Sequence, residues 1–260
     1  MAEVLSFLSF NPSDAYKHLD NGVRSIESLP RSTQDRVAAI IQAPQFQNWI
    51  ASPASEALFI NYNSQASASE SPSFYLYSKL HDSVHQGPGS SLMLSFFCRS
   101  HIEPGDLYFG AAGMVRSLIG QLLDKVPQLP FQDLVPRDPA RAKSVSFLCG
   151  LLEDLILRLP PDAVVFCAID SINIHEENNS TYEEFEEVVE TLVQIRERTA
   201  SAGCAFKLII ACSWNSHRLY KLIPDQKREV MWLPVKVPHQ GGLTTARWKA
   251  IMEKNLRLLR

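Results

Sequence analysis

The chain has 260 residues, 45% of them hydrophobic, and a formal net charge of −3. That apolar fraction excludes disorder of the whole chain, and the length allows one generous domain or two small ones. The charge leaves no basic footprint for nucleic acid, and no stretch reaches the roughly 18 apolar residues that a membrane span needs.

The first residues, MAEVLSFLSFNPSD, place an acid where an export signal carries positive charge, and serines break their apolar run, so a cytoplasmic protein is expected. Residues 1–52 read as a helical preface. Ser32 or Thr33 is placed to cap a helix running to about Gln42, and a second helix, Gln45 to Ile50, sets Phe46, Trp49 and Ile50 on one face.

From there the pattern alternates. Strands are expected at Ala57 to Ile60, Leu92 to Cys98, Val164 to Ile169, Lys207 to Cys212 and Val230 to Leu233. Helices are expected at Ser73 to Val84, Leu107 to Lys125, Val145 to Leu159, Tyr182 to Ala200 and Asn215 to Leu222. Ser64 to Ser73, rich in serine and alanine, reads as the most flexible part of the body. Residues 236–260 form a linker and a basic helix, Thr244 to Leu259, with Arg247, Lys249, Lys254, Arg257 and Arg260. Strands separated by helices make residues 53–235 an α/β three-layer domain: a mainly parallel five-stranded sheet with helices on both faces.

Ala163 to Asp170, AVVFCAID, is an apolar run ending in a carboxylate, the form of a buried parallel strand with a functional residue at its carboxyl end. In P-loop NTPases such an aspartate helps to hold magnesium, and an earlier strand leads into GxxxxGK[ST]. Here ALFI is followed by residues 61–72, NYNSQASASESP, with neither glycine nor lysine. Only Asn61 and Asn63 there tolerate left-handed backbone angles easily. Each charge-assisted bond to phosphate contributes about 1.5–3 kcal/mol, so losing three leaves roughly millimolar affinity or worse. Lys79, the nearest cation, lies about two turns along the following helix, too deep for the missing lysine's role.

The segments FQNWIASPASEALFINYNS, SFYLYSKL, SLMLSFFCRSH, GMVRSLIGQLL, LPPDAVVFCAIDSI and FKLIIACS occur in that order over residues 45–235. Together they resemble the fungal NACHT-related, signal-transduction NTPase-like (STAND-type) family. The resemblance implies a P-loop-NTPase-like sheet, a nucleotide-binding first loop and a magnesium-supporting aspartate after the third strand. Asp170 matches the aspartate, and nothing in 61–72 matches the loop. After the fourth strand, where relatives often carry a polar or arginine sensor, this chain has Ser213, which also suits a helix cap.

Other constellations are weaker. Cys98 with His101 and Ser213 with His217 lack a nucleophile elbow, and His81 with His85 lacks the glutamate of HExxH. The five cysteines, 98, 149, 167, 204 and 212, have no CxxC spacing and read as reduced core residues. The acidic run from Glu176 to Glu190 is either a solvated helix start or a contact surface for a basic partner, for which the carboxyl-terminal helix of the same or another copy is one candidate.

The expected function is that of a non-catalytic NACHT-like scaffold or signalling protein that works through a protein partner or self-association, without a cofactor. The alternative is an NTP-binding or NTP-hydrolysing protein that grips ATP or GTP through the turn at Asn61, Asn63 and Ser64, with magnesium at Asp170.

Overall fold

The computed structural model describes residues 7–16, 29–64, 71–86, 91–129, 139–176, 179–214, 216, 218–223, 229–241 and 243–256. Helices α1 (Arg31–Gln42) and α2 (Pro44–Ala51) lead into β1 (Glu56–Asn61). Then come α3 (Pro72–Gln86), β2 (Ser91–Phe97), α4 (Gly110–Lys125), α5 (Val145–Leu157), β3 (Val164–Asp170), α6 (Asn179–Ala202), β4 (Ala205–Cys212), β5 (Val230–Trp232) and α7 (Thr245–Leu256).

The five strands form one sheet in the order β2-β3-β4-β1-β5, and every pair is parallel. Alternation along each strand divides the core in two. Leu58 and Ile60 of β1, Phe166 and Ala168 of β3 and Ile209 and Ala211 of β4 meet α1, α2, α3 and α7. Ala57 and Phe59, Val165, Cys167 and Ile169, and Leu208 and Ile210 meet α4, α5 and α6 on the opposite face. The architecture is thus a three-layer α/β fold with an all-parallel sheet. Both faces are covered, which is why the strands read as unbroken apolar runs.

Local chemistry sets the element ends. Pro44 and Pro72 open α2 and α3, where a missing N–H costs nothing. The Ser144 hydroxyl accepts from the Phe147 amide to cap α5, and the Thr244 hydroxyl accepts from the Arg247 amide to cap α7. The helix expected from Leu107 begins at Gly110, because the Asp106 carboxylate accepts from the Tyr108 amide at 2.7 Å and holds the preceding loop. Neither Ser32 nor Thr33 caps α1, which begins at Arg31 behind Pro30 without a side-chain cap.

The helix expected at Asn215 to Leu222 is, among the described residues, a 3₁₀ turn at Leu219–Leu222. Ser213 does not cap it; the Leu219 amide donates to the Ser216 hydroxyl at 3.0 Å. Of the stretch Ser64 to Ser73, residues 65–70 lie outside the described residues.

The segment that follows β5 is tied to α1. Arg36, 8% exposed, donates to the carbonyls of Tyr62, Pro234 and Val235. Asp35 accepts from the Gln240 amide at 2.9 Å and contacts His239 Nδ1 at 3.1 Å. Helix α7 then packs on the α1–α3 side, where the Trp248 indole donates to the Ser83 hydroxyl at 3.0 Å. The acidic helix α6 lies on the other face. Among the described residues, the sheet therefore separates the glutamates of α6 from Arg247, Lys249 and Lys254 of α7 in the same copy, while Arg257 and Arg260 lie outside the described residues. Glu186 instead meets Arg218 at 3.6 Å, and that guanidinium lies 4.0 Å from the Tyr182 ring centroid.

Candidate functional site

From β1 the chain leaves through α3 on one face towards β2 at the far edge. From the adjacent β4 it leaves through the Leu219–Leu222 turn, on the opposite face, towards β5. Two neighbouring strands whose connections diverge in this way leave a crevice at their carboxyl ends, where α/β proteins place their ligands. Asn61, Asp170 and Ser213 all lie at this end of the sheet.

Asp170 follows the inward-facing positions 166 and 168, so its carboxylate points at the first turn of α3. It is 1% exposed. The hydroxyls of Ser73 and Ser171 both donate to its Oδ1, the latter at 2.9 Å. Ser71 Oγ lies 2.6 Å from Ser73 Oγ and donates to the Tyr62 hydroxyl at 3.1 Å, which in turn lies 3.1 Å from Ser171 Oγ. Below them the Tyr77 hydroxyl donates to the Ile169 carbonyl. Burial pushes the Asp170 carboxyl up to about 6, against the opposing influence of the Ser73 and Ser171 hydrogen bonds and the Arg99 charge.

Arg99, just beyond β2, donates through Nε to Ser171 Oγ at 3.3 Å and through Nη2 to Ser213 Oγ at 2.9 Å. Its guanidinium lies 5.5 Å from the Trp214 ring centroid. Ser213 is further fixed by its amide, which donates to Asn173 Oδ1 at 3.2 Å.

The turn that follows β1 is held by its own neighbours. The Tyr62 amide donates to the Cys212 carbonyl, the Asn63 amide to Asn61 Oδ1 and the Ser64 amide to the Ser213 carbonyl, at 2.8–3.1 Å. Asn63 adopts the left-handed conformation, φ 45°, and its side chain donates to the Leu233 carbonyl at 2.6 Å. Asn61, Asn63 and Ser64 thus extend the sheet's bonding from β1 towards β4 and β5. Asp170 sits across β4 from them, joined through the Tyr62 hydroxyl and through Ser213, Arg99 and Ser171.

A magnesium ion needs close to octahedral oxygen coordination at about 2.0–2.1 Å and normally keeps several waters. The surroundings of Asp170 do not fit this. Two hydroxyls already occupy the same carboxylate oxygen, and Ser71, Ser73, Ser171 and Tyr62 are each at most 1% exposed, with no space for a hydrated ion. Among the described residues no three histidine, cysteine, aspartate or glutamate side chains gather to hold a metal.

The rejected pairs also find partners. His101 Nδ1 contacts Asp106 at 2.8 Å, and burial holds the Cys98 thiol well above its ordinary value, so it supplies no thiolate. His81 and His85 stack on each other at 6.0 Å, and His217 lies outside the described residues. The five cysteines are buried and free. Sequence reasoning missed Tyr62, Ser71, Ser73 and Arg99. The available signal was Ser-Pro-Ser at a helix start, where first-turn hydroxyls face the carboxyl ends of the strands.

Comparison with protein-family models, with curated proteins and with solved structures returned no match to this chain.

Proposed function

We propose that this protein is a non-catalytic, NACHT-like scaffold of the cytoplasm that acts through protein contacts, on a P-loop-like sheet whose nucleotide site has been lost. The observation that carries this reading is the Asp170 cluster. Where a phosphate-loop hydroxyl and a strand-end carboxylate would share an ion, Ser73 donates straight to Asp170. The amides of Tyr62, Asn63 and Ser64 support the same reading, since each is already bonded within the fold. Lys79 also supports it: its ammonium lies 3.8 Å from Asp82 on the flank of α3. Exposed Ile102, Leu107 and Phe109, close together in the loop between β2 and α4, are in keeping with an interaction surface.

The test is calorimetric titration of the protein with magnesium and ATP or GTP up to millimolar concentration, with Asp170→Ala as control. The expected result is no binding heat in either protein. Micromolar binding that disappears in the variant would overturn the scaffold reading in favour of an unorthodox nucleotide site.

A further inference from the structure

The surroundings of Asp170 disagree with a magnesium site, and a count of protons shows what they suit instead. Five oxygens form a closed ring of contacts: Asp170 Oδ1, Ser73 Oγ, Ser71 Oγ, the Tyr62 hydroxyl and Ser171 Oγ. Each of the five contacts requires one proton between its two oxygens. The four hydroxyls supply four. With Asp170 ionised, one contact must therefore set two lone pairs against each other.

With Asp170 protonated, each of the five contacts holds one proton, and Ser171 Oγ accepts from Arg99 Nε besides. The carboxyl O–H donates to Ser73, Ser73 to Ser71, Ser71 to Tyr62, Tyr62 to Ser171, and Ser171 back to Oδ1. The direction of the Ser71-to-Tyr62 bond agrees with this circuit, whereas the bond by which Ser73 donates to the ionised carboxylate reverses on protonation.

We propose that the Asp170 ring is a proton-operated latch: protonation of the carboxyl closes the circuit and fastens the first turn of α3 to the ends of β1 and β3, and ionisation leaves it one proton short. The inference concerns α3 and the sheet and stands whether or not the protein acts through partners.

The titratable or charged groups facing Asp170 are Tyr62 beyond β1, Tyr77 on α3, Cys98 and Arg99 beyond β2, and Cys212 at the end of β4. Burial, reinforced by the Asp170 charge, holds Tyr62 up to about 12 and Tyr77 and Cys98 well above their ordinary values. Burial, reinforced by the charges of Glu176 and Asp170, raises Cys212 likewise. None of these four titrates near neutrality, which leaves the carboxyl to do so.

The sign follows from linkage. The folded state binds this proton more tightly than the unfolded chain, so the latch is fully engaged below the ordinary value of 3.8 and is lost as pH rises through about 6.

Infrared spectroscopy of the folded protein reads the carboxyl directly. The carbonyl band of a protonated acid is expected to grow in as pH falls through this window, and to be missing in Asp170→Asn, which has no carboxyl to protonate. Tyr62→Phe separates the ring from simple burial. Removing that hydroxyl leaves three contacts and three serine protons, so the circuit no longer lacks one when Asp170 is ionised. The band's midpoint is expected to move to lower pH in this variant. A midpoint unchanged by Tyr62→Phe, or no acid band in the parent protein down to the ordinary range of aspartate, would overturn the latch. Should Asp170→Asn fail to fold, the parent and Tyr62→Phe spectra decide the matter between them.

Discussion

At the scale of single residues, two positions in the structure are expensive in different ways. Lys207 on β4 is 0% exposed, and its ammonium donates to the Trp49 carbonyl at 3.1 Å. Burial draws it down to about 8, against the partial support of Glu56. The unfolded chain keeps this proton up to roughly 10.4, so between the two values it binds more protons than the folded state. Stability should therefore rise as pH climbs through that window, and Lys207→Met should remove this rise while leaving the protein at least as stable at neutral pH. Urea midpoints of both proteins at neutral and alkaline pH check it. Gly113 is tight for another reason: a Cβ there would lie 2.3 Å from the Tyr108 backbone, which has no rotamer to yield. Gly113→Ala should cost about 1–3 kcal/mol, read from thermal or chemical unfolding. Asp170 was legible as a special residue because a carboxylate ending an apolar strand breaks the pattern. The ring around it was not legible, since Tyr62, Ser71 and Ser171 meet only after β1, α3 and β3 have been brought together.

At the scale of elements, strands and helices were legible wherever burial on one or two faces imposed a period. All five strands and the long helices lie where apolar spacing placed them, with ends shifted by a few residues. The misreadings cluster where a side chain captures the backbone. Asp106 delays α4, and Ser216 rather than Ser213 accepts from the amide that opens a turn shorter than the expected helix. The 236–260 segment read as a linker and a basic helix, yet its buried face is what matters for the fold. Trp248 is 4% exposed and meets Tyr75 edge-on at 6.5 Å. Trp248→Ala should cost about 3–5 kcal/mol, a core penalty from a helix that looks like surface by charge alone. Replacing Arg36 by Met should likewise cost about 3 kcal/mol or more, because three carbonyls lose a charged donor in a largely buried place. Both losses appear in equilibrium unfolding.

At the scale of the whole molecule, the class of architecture was legible and the strand order was not. Alternating strands and helices imply parallel pairing, but nothing in the pattern of 57–60 or 230–233 says that β1 lies between β4 and β5. The placement of α7 was equally hidden, and it bears on association. The acidic face of α6 and the basic residues of α7 are on opposite sides of one sheet, an arrangement that suits contact between copies better than contact within one. If copies associate in this way, the association should weaken from low to high salt in sedimentation experiments. Association indifferent to salt would assign it instead to the apolar loop at Ile102, Leu107 and Phe109.

The position of β1 between β4 and β5 also bears on how the chain is made. It pairs with β4 and β5, while β2 pairs with β3, so the first two strands that a ribosome delivers are not neighbours. Until residues 205–212 emerge, β1 has no strand to bond with, and its apolar side chains must wait through most of synthesis. The nascent amino-terminal half therefore carries an apolar strand whose backbone stays unpaired until the second half of the chain is made.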